Sequence, residues 1–314
     1  MYIIKHRGIF FSIVGVITAL SLAAIAIFGL KPGIEFTGGN LAEVKYTGIR
    51  PDQPRVMTQL IAAGITEEAS IRPVGLDSYI IRMPSLSAEQ QSKLESVISF
   101  EDATADVTRM TDVGPTIGSE LYRKSFVAIV LVVISILVYL AYAFRSIAPQ
   151  KKGEKKETHE DVSSWWYGMI AVITLIHDII VPTGMIAILG HYTGAQVDTL
   201  FITALLTILG YSVNDTIIIL DRVRENIRNN AVAKEKHAFE YLVGKGLTET
   251  YGRSINTSVS ALLSLIALYI FGPVSTHMFA LTLIVGVVVG TYSSIFLAAP
   301  LLVEVFNRKK KQEA

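Results

Sequence analysis

Six long apolar stretches set the terms for this chain. They cover residues 9–30, 126–144, 166–190, 199–220, 255–272 and 277–304. Most exceed the ~18 apolar residues that mark a membrane-spanning helix rather than a buried core helix; the fifth is the shortest. Composition agrees with that reading. Of 314 residues, 51% are hydrophobic and only 18% charged, and the mean hydropathy is +0.47, more apolar than a soluble domain of this length. The first stretch follows Lys5 and Arg7, as a signal peptide would. Its run of ~22 apolar residues is longer than the 7–15 of a signal core. It ends at Gly29-Leu30-Lys31-Pro32 without a small-x-small cleavage site, so it is read as a retained span.

Lysine and arginine cluster in four places: Lys5 and Arg7, the stretch 145–160, the stretch 221–253, and Arg308 to Lys311. With six spans these four fall on one side of the membrane, and the positive-inside rule makes that side the cytoplasm. Both termini are then cytoplasmic. Residues 31–123 lie on the opposite side, with the short link 191–198 and a turn at Gly272-Pro273. The expected division is 1–30 (terminus and first helix), 31–123 (outer domain and linkers), 124–304 (helices two to six, with cytoplasmic loops 145–165 and 221–253) and 305–314 (basic tail). Residues 150–161 read as a charged, low-complexity insert. The 221–253 stretch has the pattern of an amphipathic helix lying on the inner face.

The outer segment has the pattern of a small α+β domain. Residues 41–46 alternate like a strand. Residues 51–63 have helical spacing, with Pro51 as first helical residue. Residues 69–72 and 79–83 read as short strands joined at 74–77. Residues 87–100 form a helix with Ser87 and Gln90 in a capping box, and 103–110 closes with a strand. The order βαββαβ is that of a ferredoxin-like domain. The predicted fold class is an α-helical integral membrane protein, six transmembrane helices with one ferredoxin-like extracytoplasmic domain between helices one and two.

Ionisable residues inside the apolar stretches are the candidates for function, because a charge at mid-membrane costs at least ~2.5–3.5 kcal/mol. Asp215 lies in GYSVNDTIIILDR, residues 210–222, ~9 Å below the inner boundary at 1.5 Å per residue. Thr207 and Tyr211 precede it at helical spacing, which predicts a stripe facing a helix bundle. Arg253 opens the next span, followed by Thr257, Ser260 and Ser264, and is a candidate partner for Asp215. A cation lowers a carboxylate's pKa and burial raises it, so such a pair can switch with geometry; a static pair fixing helix register is the alternative. His177 and Asp178 sit mid-span in the third helix and point ~100° apart, so they are not expected to bond each other. Gly286 and Gly290 give close-packing spacing, most simply within the chain.

Other chemistries find little support. There are no cysteines, which excludes disulfides and thiolate catalysis. No phosphate-binding loop follows a strand and no cluster has metal-ligand spacing. Net charge is +1, and no basic groove points to nucleic acid. Asp178 and Asp215 raise an intramembrane aspartyl protease, but the second aspartate stands in Val-Asn-Asp rather than the GxGD of those enzymes.

Four motifs carry a family resemblance: GIEFTGG at 33–39, VGPTIG at 113–118, His177-Asp178, and GYSVNDT at 210–216 running into DRVREN at 221–226. With Arg253 and Asn256-Thr257-Ser258, the chain resembles the SecF family, the smaller membrane subunits of the SecD–SecF complex of bacterial protein export. The family usually has aspartate where this chain has Glu35. The resemblance implies a member of the resistance-nodulation-division superfamily in the bacterial cytoplasmic membrane. It implies no enzyme activity and no cofactor, with the proton gradient as energy source. The implied partners are SecD, the SecYEG channel, a translocating unfolded polypeptide and the lipid bilayer, with no nucleic acid. It makes Asp215 and Arg253 the leading proton-coupling residues, with Asp178 and His177 behind them. Tyr211, Asn214, Thr257 and Ser260 become supporting polar positions. Gly38 and Gly39 would shape the junction between the first helix and the outer domain. A structural partner that stabilises SecD, or a small-molecule exporter of the same superfamily, are the rival readings.

Overall fold

The structure, a computed structural model, describes residues 2–143, 164–233 and 237–313. The charged insert read at 150–161 lies outside the described residues. In chain order the elements longer than a single turn are α1 (Arg7–Phe28), β1 (Gly39–Gly48), α2 (Gln53–Ala62), β2 (Ser70–Val74), β3 (Ser78–Met83), α3 (Ala88–Ile98), β4 (Ala103–Val113), α4 (Pro115–Ala143), α5 (Ser164–Thr193), α6 (Thr199–Val232), α7 (Phe239–Phe271), α8 (His277–Ser293), a π-helical segment Ser294–Ala298, and α9 (Ala299–Glu313). Six helical stretches among the described residues are long and apolar enough to cross a membrane, the sixth formed by α8, the π segment and α9 together.

The chain divides into two compact units. The first comprises Met1–Ile27, Ile129–Met185 and Thr203–Ala314; the second comprises Phe28–Ala128 and Ile186–Ile202.

The second unit holds a four-stranded sheet in the order β2-β3-β1-β4, with every pairing antiparallel. With two helices in βαββαβ order, this is the ferredoxin-like arrangement expected from the sequence. Alternation along β1 buries Ala42, Val44 and Tyr46, and α2 and α3 lay Val56, Leu60, Leu94 and Ile98 against that face. Burying side chains of this size stabilises by roughly 1.5–3 kcal/mol each. Ser87 caps α3 as read: its hydroxyl accepts from Gln90 N–H and the Gln90 side chain accepts from Ser87 N–H.

In the first unit the largest apolar cluster gathers Tyr167 and Ile170 of α5, Ile219 and Val223 of α6, Val243 and Leu247 of α7, and Leu302 and Phe306 of α9. The rings of Phe239 and Phe306 stack at 4.0 Å. Large side chains on the outside of the unit are apolar instead, as at Leu131, Val138, Leu263 and Ile270, which is the outward face a lipid-embedded bundle needs. Gly286 and Gly290 of α8 pack inside the unit. A Cβ on Gly286 would lie 2.2 Å from the Ile208 side chain, and one on Gly290 would lie 3.1 Å from Ser212 Cβ. The small residues therefore let α8 approach α6 closely.

Three sequence boundaries are corrected. The stretch 221–253 is not a loop with a separate surface helix; α6 continues to Val232 and α7 begins at Phe239. Charge marks where hydrocarbon ends, not where a helix ends. Arg222 and Asn226 of α6 both donate to Glu249 of α7, each at 2.8 Å, so the polar extensions bond each other. The stretch 111–123, between the strand expected at 103–110 and the second span, is also mostly regular: β4 runs to Val113 and α4 starts at Pro115, where a fixed φ suits the first turn. Pro51 lies before α2; Asp52 is its N-cap and Pro54 takes the early helical position.

Candidate functional site

Asp215 is carried on the inward face of α6, and its neighbours there are short and polar. It is 6% exposed. Its Oδ1 accepts a hydrogen bond from Ser254 Oγ of α7 at 2.5 Å, and its Oδ2 has no protein partner among the described residues. One turn back, Tyr211 Oη donates to Ser258 Oγ at 2.8 Å. Ser258 Oγ lies 2.6 Å from Thr291 Oγ1 of α8 and 2.7 Å from the Ser254 carbonyl. Thr216 Oγ1 and Ser294 Oγ are 2.8 Å apart. Interhelical hydroxyl bonds in membranes average ~0.6 kcal/mol, so the set defines register and polarity more than stability.

The expected ion pair is not formed. Arg253 is exposed on α7, and no ion pair joins it to Asp215 among the described residues. The adjacent Ser254 makes the contact instead. The two residues are successive on a helix and so point ~100° apart. Asn214, Thr257 and Ser260 are likewise exposed, as is Thr207, which the sequence placed on the inward stripe. Thr207 and Asn214 are thus exposed polar residues of α6, and Arg253, Thr257 and Ser260 exposed polar residues of α7.

His177 and Asp178 point to different helices, as neighbours on a helix must. His177 is 4% exposed and its Nδ1 lies 2.7 Å from Thr18 Oγ1 of α1. Asp178 is 0% exposed. Its Oδ2 accepts from the Ser212 hydroxyl of α6 and from Ser293 Oγ of α8 at 2.9 Å. The hydroxyls of Ser212, Ser254, Ser258, Thr291, Ser293 and Ser294 were not singled out from the sequence as partners of the acids. Their signal is present in hindsight as small polar residues every three or four positions on three helices.

In the second unit, the two glycines and VGPTIG meet. Gly38 and Gly39 adopt φ of 80° and 129°. A Cβ on Gly39 would lie 2.6 Å from the Met83 carbonyl, and one on Gly38 would lie 2.9 Å from Pro115 Cα. The pair therefore shapes the start of β1 against the start of α4, rather than the end of α1. Glu35 accepts from both the backbone N–H of Thr199, at 2.7 Å, and its hydroxyl. Asp198 Oδ1 accepts from Phe201 N–H at 2.7 Å. Two carboxylates thus cap the positive N-terminus of α6. Burial pushes the Asp198 carboxyl above its ordinary range, opposed by the Phe201 bond and by Arg82.

Asp178 and Asp215 are thus each held inside the unit by serine hydroxyls of neighbouring helices. The family described as "Protein export membrane protein SecD/SecF, C-terminal" matches residues 93–151 and 163–308. The "SecD/SecF GG Motif" matches residues 23–48. The chain is 33% identical to the protein translocase subunit SecF of Thermobaculum terrenum, covering 98% of this chain and 94% of that one. It is 34% identical to that of Anaerolinea thermophila, covering 96% and 92%, and 33% identical to that of Pseudomonas aeruginosa, covering 95% and 89%. The crystal structure of SecDF from Thermus thermophilus, titled a translocon-associated membrane protein, superposes with a TM-score of 0.79 at 28% identity. It covers 98% of this chain, which spans 39% of the SecDF chain. The chain therefore belongs to the SecF branch of the SecD/SecF family of protein-export membrane proteins.

Proposed function

We propose that this subunit acts with SecD, beside the SecYEG channel, to turn proton flow across the cytoplasmic membrane into late translocation and release of an unfolded polypeptide. It is a transport component rather than an enzyme, and it draws on the gradient rather than on a cofactor. Asp215 is the group that takes up and releases the proton. The observation that carries this is its setting: a buried acid held by one serine hydroxyl, with no cation bonded to it among the described residues. Such a group changes charge with little rearrangement of its own. One charge crossing 100 mV supplies ~2.3 kcal/mol.

Arg253 enters through the surface it shares with Asn214, Thr257 and Ser260. Polar groups facing lipid are costly, so that face calls for a covering protein, and SecD is the partner the family supplies. Arg253 would then reach Asp215 or a SecD acid only at certain stages of the cycle. His177 and Asp178 take part behind Asp215. The cytoplasmic placement of both termini follows from the lysine and arginine pattern.

The test is Asp215→Asn in the assembled SecD complex. Normal assembly with loss of proton-dependent export supports the reading. Unchanged export makes Asp215 structural and the subunit a stabilising partner of SecD. Transport of a hydrophobic dye by the purified pair would favour the small-molecule exporter instead.

A further inference from the structure

We propose that Asp178 is a second proton-binding site, distinct from Asp215, and that the Ser293 hydroxyl transmits its charge state to α8. Asp178 sits where α5, α6 and α8 meet, and it is 0% exposed. Ser212 and Ser293 both donate to Oδ2. Oδ1 has no hydrogen-bond partner among the described residues, and no lysine or arginine among them forms an ion pair with this carboxylate. A buried carboxylate without a cation must be neutralised to persist in an apolar bundle. The carboxyl group and the two hydroxyls that donate to it supply fewer oxygens than the ~6–8 that a calcium ion takes. A proton is the cation it fits.

The surrounding titratable groups are turned elsewhere. His177 is engaged with Thr18 of α1. Asp215 of α6 is bonded to Ser254 of α7. Tyr211 of α6 is bonded to Ser258, and the Tyr292 hydroxyl of α8 has no partner among the described residues. Ser212, which bonds Asp178 of α5, and Asp215, which is bonded by Ser254 of α7, thus lie about one turn apart on α6 and face different neighbouring helices.

Ser293 makes the site a switch. Its single hydroxyl hydrogen has two acceptors in reach, Asp178 Oδ2 at 2.9 Å and the Gly290 carbonyl at 3.0 Å. An ionised carboxylate attracts the hydrogen more strongly than a neutral carbonyl does. When a proton from water converts the carboxylate to the acid, the hydroxyl turns to Gly290; loss of that proton reverses the step. Gly290 also accepts from Ser294 Oγ at 2.9 Å, and the π-helical segment begins at Ser294. Single π-helical turns inside α-helices recur at functional sites. The charge on Asp178 therefore selects the bonds at the point where the winding of this helix changes.

Proton occupancy of Asp178 does not depend on the coupling reading above, but its use in export does. The test is infrared difference spectroscopy of the full chain in lipid vesicles across a pH jump, reading the carbonyl band of a protonated carboxylic acid. A band that is lost in Asp178→Asn, retained in Asp215→Asn and displaced in Ser293→Ala is expected. If Asp178→Asn does not fold, displacement of the band in Ser293→Ala carries the test. No such band, or one untouched by both variants, overturns the proposal. A band that emerges only when sodium is replaced by choline assigns the site to sodium and overturns the proton. Loss of export in Asp215→Asn without an Asp178 band would sink this inference alone. The band with normal export in Asp215→Asn would sink the coupling reading alone.

Discussion

The two units solve burial in opposite ways. In the ferredoxin-like unit the interior is apolar: Asn40 is the one fully buried polar side chain other than tyrosine among its described residues, and its Oδ1 accepts from Leu86 N–H at 2.6 Å. In the helical unit Thr174, Asp178, Ser212, Asp215, Ser254, Ser258, Thr291, Ser293 and Ser294 are buried beside its apolar cluster, while Leu131, Val138, Leu263 and Ile270 are among the apolar side chains that face out. The difference is the solvent. Water drives apolar groups inward, whereas lipid exerts no such drive between helices and leaves packing and hydrogen bonds to decide contacts. A polar interior is therefore where the helical unit can place chemistry.

The contrast breaks first in the cores. Leu60, 0% exposed in the second unit, should cost ~2–5 kcal/mol when cut to alanine, whereas Leu263→Ala, at 64% exposure on α7, should change little in lipid. Hydrogen exchange of the β1 and β3 amides, and thermal unfolding of the whole protein in vesicles, would check the pair. Equal losses would show that Leu263 faces protein.

Close packing of α6 and α8 is the next test. Gly286→Leu forces its side chain into Ile208 and should cost roughly 1–3 kcal/mol, seen as a lower melting temperature and faster proteolysis. Gly15→Ala on α1 meets nothing within 4 Å among the described residues and should leave both unchanged. A smaller effect is expected from Ser254→Ala, which removes the hydroxyl on Asp215 at ~0.6–1.7 kcal/mol. Ser92→Ala on the exposed face of α3 is its control, and equal shifts in melting would erase the contrast.

The smallest effect belongs to the outer surface. Arg55 donates to both oxygens of Asp102, at 2.9 and 3.0 Å, and this hydrogen bonding holds the Asp102 carboxyl below its ordinary range. The pair contributes stability above the unfolded value of an aspartate, and loses it as pH falls through the lowered folded value. Asp102→Asn should flatten that slight acid dependence of unfolding, measured by exchange at β4. A large change would mean the pair is not solvent-screened.

The membrane spans were legible because ~18 apolar residues admit few alternatives. The βαββαβ order was legible because strand alternation, the Ser87–Gln90 capping box and turn residues are local. The helical continuation through 221–253 was not, because Arg222 and Asn226 find Glu249 only once α6 and α7 are side by side. The partner of Asp215 was misplaced by one residue for a similar reason. Charge favoured Arg253, but the angle of α7 presents Ser254. Gly38 and Gly39 were read as a junction, yet that their neighbour is Pro115 rather than the end of α1 required the sheet.

By itself the sequence determined a membrane-spanning helical protein with a small α+β domain, and it placed acids where hydrocarbon makes them costly. Those facts depend on residue spacing and transfer energy, which act locally. Only the tertiary structure decided which hydroxyls surround Asp178 and Asp215, and that Arg253 lies on the outside. Such contacts join positions far apart in the chain, and hydrogen bonds of a few ångströms depend on helix rotation and close approach, which no single stretch of sequence encodes.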